Sequence, residues 1–386
     1  MIEIDVPGSK SLTNRALVCA ALAEGRSVVR GALVADDTEA MSDCLRALGA
    51  AVTWDGTTVT VDGVGGRVDV DGAELDARLS GTTSRFVLPL LALGAGAKRL
   101  DGAEPLRRRP MGPVLDALRA LGASVDGEAL PVTIRGPVRG GTVRVRADLS
   151  SQFVSGLLLA GPAMPEGLEV ELEGDLVAAP FVTMTVAVMR EFGAIVEGLR
   201  VSPGAYRARE YDVEPDASAA SYFWAAAVLT GKDVRVRGLD GPSLQGDVRF
   251  RSVLASMGAP GPLHGIDVDL GDMPDMAQTF AVVAACADGP SRVRGVSVIR
   301  GHETDRITAV VNELRRVGVG AEETDDGFTV TPAPLRPATV RTYEDHRMAM
   351  SFALLGLLEP GIAVEDPAVV GKTFPGFWDQ LARLRP

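Results

Sequence analysis

Lys10 and Arg15 stand in the stretch PGSKSLTNRALVCAALAEG, at the start of an apolar run that is helix-patterned from Ser11 to about Ala23. The first turn of a helix carries partial positive charge, so each cation there is disfavoured by about 0.3–1 kcal/mol. An anionic partner reverses that cost, because helix N-termini combined with Arg and Lys make strong phosphate or carboxylate sites. Similar polar first turns recur along the chain as SGTTSR, LSSQ, PDASAAS, MPDMAQT and YEDHRM. Capping explains one Ser, Thr or Asp in each. It does not explain Lys10, Arg15, Arg85, His346 and Arg347, which together predict a ligand with more than one anionic group.

Singly, these pieces have plainer readings. Ser9 separates Gly8 from Lys10, so the stretch is not a phosphate-binding P-loop. Arg107 to Arg109 in LRRRP reads as a solvated basic loop and Lys372 in GKTFPGF as a loop lysine. Asp275 reads as a helix N-cap, and HETDR (His302 to Arg306) as a capped helix start with a Glu303–Arg306 pair at i,i+3. Their regular recurrence is what favours a shared site.

That recurrence implies six copies of one unit. Helices that are apolar on every face begin near Ser11, Gly81, Ser150, Asp216, Asp275 and Asp345, at spacings of 70, 69, 66, 59 and 70 residues. Apolarity all round marks core helices. A second, amphipathic helix in each unit ends at Gly49, Gly122, Gly193, Gly258 or Gly318, and QLARLRP supplies a truncated sixth. These glycines read as left-handed C-caps. Runs such as TVTVDG, TVRVRAD, LEVELEG and DVRVRG read as strands. Units of this size exceed ordinary solenoid repeats of ~20–50 residues, which favours a two-lobed α/β protein with three units per lobe.

The 386 residues carry a net charge of −12, which disfavours a nucleic-acid coat. Only four of the 39 basic residues are lysines. Cys19, Cys44 and Cys286 are isolated, which predicts neither a disulfide framework nor structural zinc and points to a reducing cytoplasm. No apolar run reaches the roughly 18 residues of a membrane span, and MIEIDVPG does not read as a signal peptide.

In order, PGSKSLTNRAL, SGTTSRF, RRRPMG, LSSQF, SAASYFWAAA, LQGDVRF, MPDMAQT, RGHETDR, YEDHRMAM and GKTFPGF resemble the motifs of the 5-enolpyruvylshikimate 3-phosphate (EPSP) synthase family, from Val6 to about Leu384. The resemblance implies a two-lobed α/β (α+β) enolpyruvyl transferase fold of six βαβαββ units, three per domain. One domain would span residues 9–245 and a discontinuous one residues 1–8 and 246–386, with the active site in the cleft between them. It implies transfer of the enolpyruvyl group of phosphoenolpyruvate (PEP) to the 5-hydroxyl of shikimate 3-phosphate, releasing phosphate, in aromatic amino acid biosynthesis. It further implies a pocket open to glyphosate, no metal or cofactor, no nucleic-acid or membrane partner, and a monomer.

Position by position, Lys10, Arg109, Gln152 and Lys372 would hold the PEP phosphate, with Gly81 allowing close backbone approach. Arg306 and Arg347 would grip its carboxylate. Ser11 and Arg15 would bind the shikimate carboxylate, and Ser150 and Ser151, with Gln152 beside them, its phosphate. Asp275 would bond the ring hydroxyls and act as base. Glu303 would protonate the methylene carbon, with Lys10 the competing donor.

Three positions depart from the pattern. Ala178 and Phe181 replace a Ser-x-Pro-Tyr arrangement, Val298 replaces an asparagine, and His302 replaces a lysine. His302 is expected to bind the acceptor phosphate or else to cap a helix beginning at Glu303. All three departures fall on the acceptor side. The alternatives are therefore an enolpyruvyl transferase with a different anionic acceptor, or an inactive anion-binding protein on the same fold.

Overall fold

Helices with no polar face must be enclosed, and the six apolar stretches lie at the centre of two separate cores. The computed structural model describes residues 1–385. The chain divides into a central unit, Gly8–Glu214, and a terminal unit made of Met1–Pro7 and Pro215–Pro386. In the central unit the buried helices are Lys10–Leu22, Gly81–Leu91 and Ser151–Ala160. In the terminal unit they are Ala217–Thr230, Ala277–Ala284 and His346–Ala353. Each trio anchors its own cluster of buried apolar side chains.

Among the described residues there are six sheets, three in each unit. Four of them repeat one pattern, a parallel strand pair extended by an antiparallel ribbon. In the central unit, for example, Ala73–Asp76 runs parallel to Lys98–Asp101, which pairs antiparallel with Val132–Arg135 and through it with Ser124–Asp126. The other two sheets keep only the parallel pair: Ile2–Ile4 with Val234–Val236, and Ala338–Val340 with Ile362–Val364. The amphipathic helices end as expected, with Gly49, Gly122, Gly193, Gly258 and Gly318 all at positive φ.

The second passage of the chain between the units falls at Glu214–Pro215, and the one expected near Gly246 is corrected by about thirty residues. The Ala217–Thr230 helix is the fourth apolar helix and packs into the terminal core. Its following strand, Val234–Val236, pairs with Ile2–Ile4. Within the terminal unit the Asp216 amide donates to the Pro7 carbonyl at 2.8 Å, and within the central unit the Ser9 amide donates to the Glu214 carbonyl at 2.8 Å.

Candidate functional site

In the central unit, Ser9, Ser80 and Ser150 cap the three buried helices by accepting from Leu12, Thr83 and Gln152 amides. Capping puts the next residues, Lys10, Ser11, Gly81 and Ser151, in first turns. The Lys10 ammonium lies 3.2 Å from the carboxylate of buried Asp37, a partner that the sequence signals only as one acid in the helix start ADDTEA.

Arg15 is 2% exposed. Its hydrogen bonds go to neutral oxygens: the Thr185 hydroxyl (2.7 Å), the Ser11 carbonyl (2.8 Å) and the Phe181 carbonyl (3.0 Å). Its guanidinium also lies over the Phe86 ring, 5.1 Å from the centroid. Burial without a carboxylate lowers its pKa to about 9. A cation held this way is an electrostatic demand for an anion.

Arg85 donates to Gln152 Oε1 at 2.7 Å, and Gln152 donates to the Thr82 hydroxyl at 3.2 Å, so the amide is oriented from both ends. The basic run 107–109 divides. Arg107 is paired with Asp101, and Arg108 with Glu104. The Arg109 tip reaches Gly81, where an added Cβ would lie 2.8 Å from Nη1.

In the terminal unit the charges form one connected group. Arg306, the first residue of its helix and fully buried, donates from Nε to Asp345 (2.7 Å) and from Nη1 to Asp275 (2.9 Å) and to His302 Nδ1 (2.9 Å). From Nη2 it donates to Glu303 (2.8 Å) and Asp345 (3.3 Å). All five of its N–H groups are engaged. Burial works against the Arg306 charge, but Asp345, Glu303 and Asp275 outweigh it and hold the pKa above the ordinary arginine range. Arg347 donates to Asp275 at 2.8 Å, and Lys372 to Glu303 at 2.7 Å. Each of the two carboxylates expected to do proton transfer thus touches two cations.

Two plainer readings are overturned here. Asp275 is not an N-cap: the Ala277–Ala284 helix has no side-chain cap, and the Asp275 carboxylate faces Arg306 and Arg347. His302 does not cap a helix either. That helix begins at Arg306 and is capped by Asp305, which accepts from the Ile307 and Thr308 amides. Arginine only donates, so His302 Nδ1 is the acceptor of its bond with Arg306. Of the three departures, Ala178 sits at φ 50° and Val298 packs against the terminal core.

Sequence reasoning missed Asp345 as the main partner of Arg306, having taken it only as a helix start. It also missed Asp247, a buried carboxyl that accepts from the Ser218 hydroxyl. Burial first, and then the nearby Asp275, push the Asp247 pKa up to about 7. A carboxyl raised on folding adds stability while protonated and loses it as pH climbs from its unfolded value of 3.8 to about 7. Asp247→Asn keeps the bond from Ser218 and removes the charge. Urea unfolding is expected to show a flatter pH dependence between pH 4 and 7 for this variant, and a gain of roughly 2–4 kcal/mol at pH 8. Parallel wild-type and variant curves would refute the assignment.

No group of three or more His, Cys, Asp or Glu among the described residues is arranged to hold a metal ion. No helix among them is long and apolar enough to cross a membrane.

A sequence profile of EPSP synthase (3-phosphoshikimate 1-carboxyvinyltransferase) matches residues 2–381. A 3-phosphoshikimate 1-carboxyvinyltransferase of Trichormus variabilis is 42% identical over 407 residues, covering 99% of this chain and 96% of that protein. The EPSP synthase structure from Acinetobacter baumannii superposes with a TM-score of 0.79 at 25% identity, covering 99% of this chain and 95% of that one. The enolpyruvyl transferase NikO from Streptomyces tendae has the same fold, with a TM-score of 0.76 at 20% identity over 100% of this chain and 94% of that one. With its motifs, repeat architecture and full-length match in agreement, the chain belongs to the EPSP synthase family of enolpyruvyl transferases.

Proposed function

We propose that this protein transfers the enolpyruvyl group of PEP to the 5-hydroxyl of shikimate 3-phosphate, releasing phosphate, as a cytoplasmic monomer. The observation that carries this reading is the pairing of Asp275 with Arg347 and of Glu303 with Lys372, two carboxylates each within 2.8 Å of a cation that an anionic substrate would claim. When PEP takes Arg347 through its carboxylate and Lys372 through its phosphate, Asp275 and Glu303 exchange a cation for a substrate atom.

In the addition step Asp275 takes the proton of the 5-hydroxyl, the hydroxyl oxygen bonds to C2 of PEP, and Glu303 delivers a proton to the methylene carbon. The tetrahedral intermediate keeps its phosphate against Lys10, Arg109, Gln152 and Lys372. Elimination reverses the roles: a methyl proton returns to Glu303, the C–O bond to phosphate breaks, and the departing phosphate takes the proton that Asp275 received. Arg15 and Ser11 take the shikimate carboxylate, and Ser150, Ser151 and His302 the shikimate phosphate. Arg306 can grip a PEP carboxylate only by giving up one of its five protein bonds, so we assign it first to holding Asp275, Glu303 and Asp345 in place.

Phosphate release from PEP, measured with and without shikimate 3-phosphate, tests the reading. Acceptor-dependent release is expected. Release only with another anionic acceptor from a panel would favour the second reading, for which Ala178, Val298 and His302 speak because all three lie on the acceptor side. No release with any acceptor would leave an inactive anion-binding protein.

Gly81→Ala supplies a further check. The obstacle to its methyl is the end of the flexible Arg109 side chain, so the fold should tolerate it, within about 0.5 kcal/mol. Displacing Arg109 is expected to raise the Michaelis constant for PEP severalfold and to weaken glyphosate inhibition more. Equal loss for both ligands would mean that Gly81 does not distinguish them.

A further inference from the structure

Tyr343 and Glu344 stand at φ 56° and 57°, consecutive residues in the left-handed region and immediately before Asp345. Among the described residues only Arg78 and Ala178 share this conformation without being glycine. Side chains with a Cβ resist it, so two in succession persist only where the surroundings hold them. What fastens Tyr343 here is a carboxylate. Glu313, with no exposed surface, lies on the Arg306–Arg316 helix two turns beyond Arg306. Its Oε1 accepts from the Tyr343 hydroxyl at 2.7 Å, and its Oε2 from the Arg341 amide at 3.0 Å and from Arg316 Nε at 2.7 Å. The turn closes when the Asp345 amide donates to the Thr342 carbonyl at 2.9 Å.

Directly after this turn come the residues that the site uses. Asp345 accepts from Arg306 and from the Arg347 amide, and the Arg347 side chain reaches Asp275. One helix therefore carries Arg306 at its first residue and the fastening for the opposing loop seven positions later. Burying a carboxylate in an apolar core is costly, and a position on the inner face of this helix would ordinarily be apolar. Glu313 is accommodated there by its hydrogen bonds from the turn it fastens and from Arg316.

We infer that Glu313 is a positioning residue, clamping the left-handed Arg341–Glu344 turn so that Asp345 and Arg347 meet Arg306 and Asp275. The inference rests on the PEP-carboxylate role proposed for Arg347. Glu313→Gln keeps the size of the side chain and weakens its hold on the turn. It is expected to raise the Michaelis constant for PEP about five- to twentyfold, the scale of a weakened hydrogen bond to a charged group, while turnover falls less. Tyr343→Phe should act in the same direction, and the double variant should add little, since both changes loosen one clamp. Glu344→Gly, which adopts φ near 57° without a Cβ penalty, should restore PEP affinity in the Glu313→Gln background.

Phosphate release is followed at saturating acceptor beside thermal unfolding of each variant. If Glu313 only supports the core, Glu313→Gln lowers the melting temperature, leaves the Michaelis constant unmoved, and gains nothing but stability from Glu344→Gly. That result overturns the inference. Should Glu313→Gln fail to fold, Tyr343→Phe with and without Glu344→Gly decides the same question. A wild-type protein that does not turn over PEP would sink the proposed function itself, whereas turnover with unmoved constants in the variants sinks only the clamp.

Discussion

Replacing Arg306 by methionine is expected to cost the protein about 3–5 kcal/mol of stability, the loss typical of removing one partner from a buried ion pair. The variant leaves Asp345 with no exposed surface and deprives Asp275 and Glu303 of a cation within 3 Å. Methionine fills much of the volume, so the loss reports charge rather than a cavity. Arg306→Lys keeps the charge but has three donors in place of five and lacks the planar fork, so it should recover only part of the loss. Urea unfolding measures both. A methionine variant within about 1 kcal/mol of wild type would mean that Asp345 and its neighbours are satisfied without Arg306.

The second large effect is on turnover. Glu303→Gln preserves the bond with Arg306 and cannot carry a proton, so kcat is expected to fall about 10²- to 10⁴-fold, the usual worth of a positioned acid–base group. The Michaelis constant for PEP should fall or stay level, because Lys372 no longer has a carboxylate at 2.7 Å competing with the substrate phosphate. Lys10→Met separates the two proton donors under consideration. Deuterium entering the PEP methylene carbon from heavy water should vanish with Glu303→Gln and persist, at weaker PEP binding, with Lys10→Met. The reverse pattern would make Lys10 the donor.

Much of this was legible before any coordinates because apolar helices at regular spacing leave few alternatives for their burial. The six stretches, the serine and aspartate caps of five of them and the glycine C-caps were readable one turn at a time. Less readable were interactions joining residues far apart in sequence. Arg306 meets Asp275 and Asp345 across 31 and 39 positions, and no local pattern announces such a meeting. Asp345 was visible as a cap because capping is local, and its second role was hidden for the same reason. The misplaced Gly246 passage had another cause. Strand Val234–Val236 belongs with Ile2–Ile4, and parallel pairing between such distant segments leaves no trace in either segment alone.

That same pairing bears on how the chain is made. Ile2 lies opposite Val234, so the Ile2–Ile4 strand leaves the ribosome more than two hundred residues ahead of its partner. At about 5–20 residues per second the wait is on the order of 10–50 s, far longer than a domain of this kind needs to collapse. During that interval the whole of Gly8–Glu214 emerges and can fold as a nascent globule, while the Ile2–Ile4 strand stays unpaired. The short, charged character of IEIDV, with an acid at every second position, fits a segment that must stay sticky to one late partner and to nothing else.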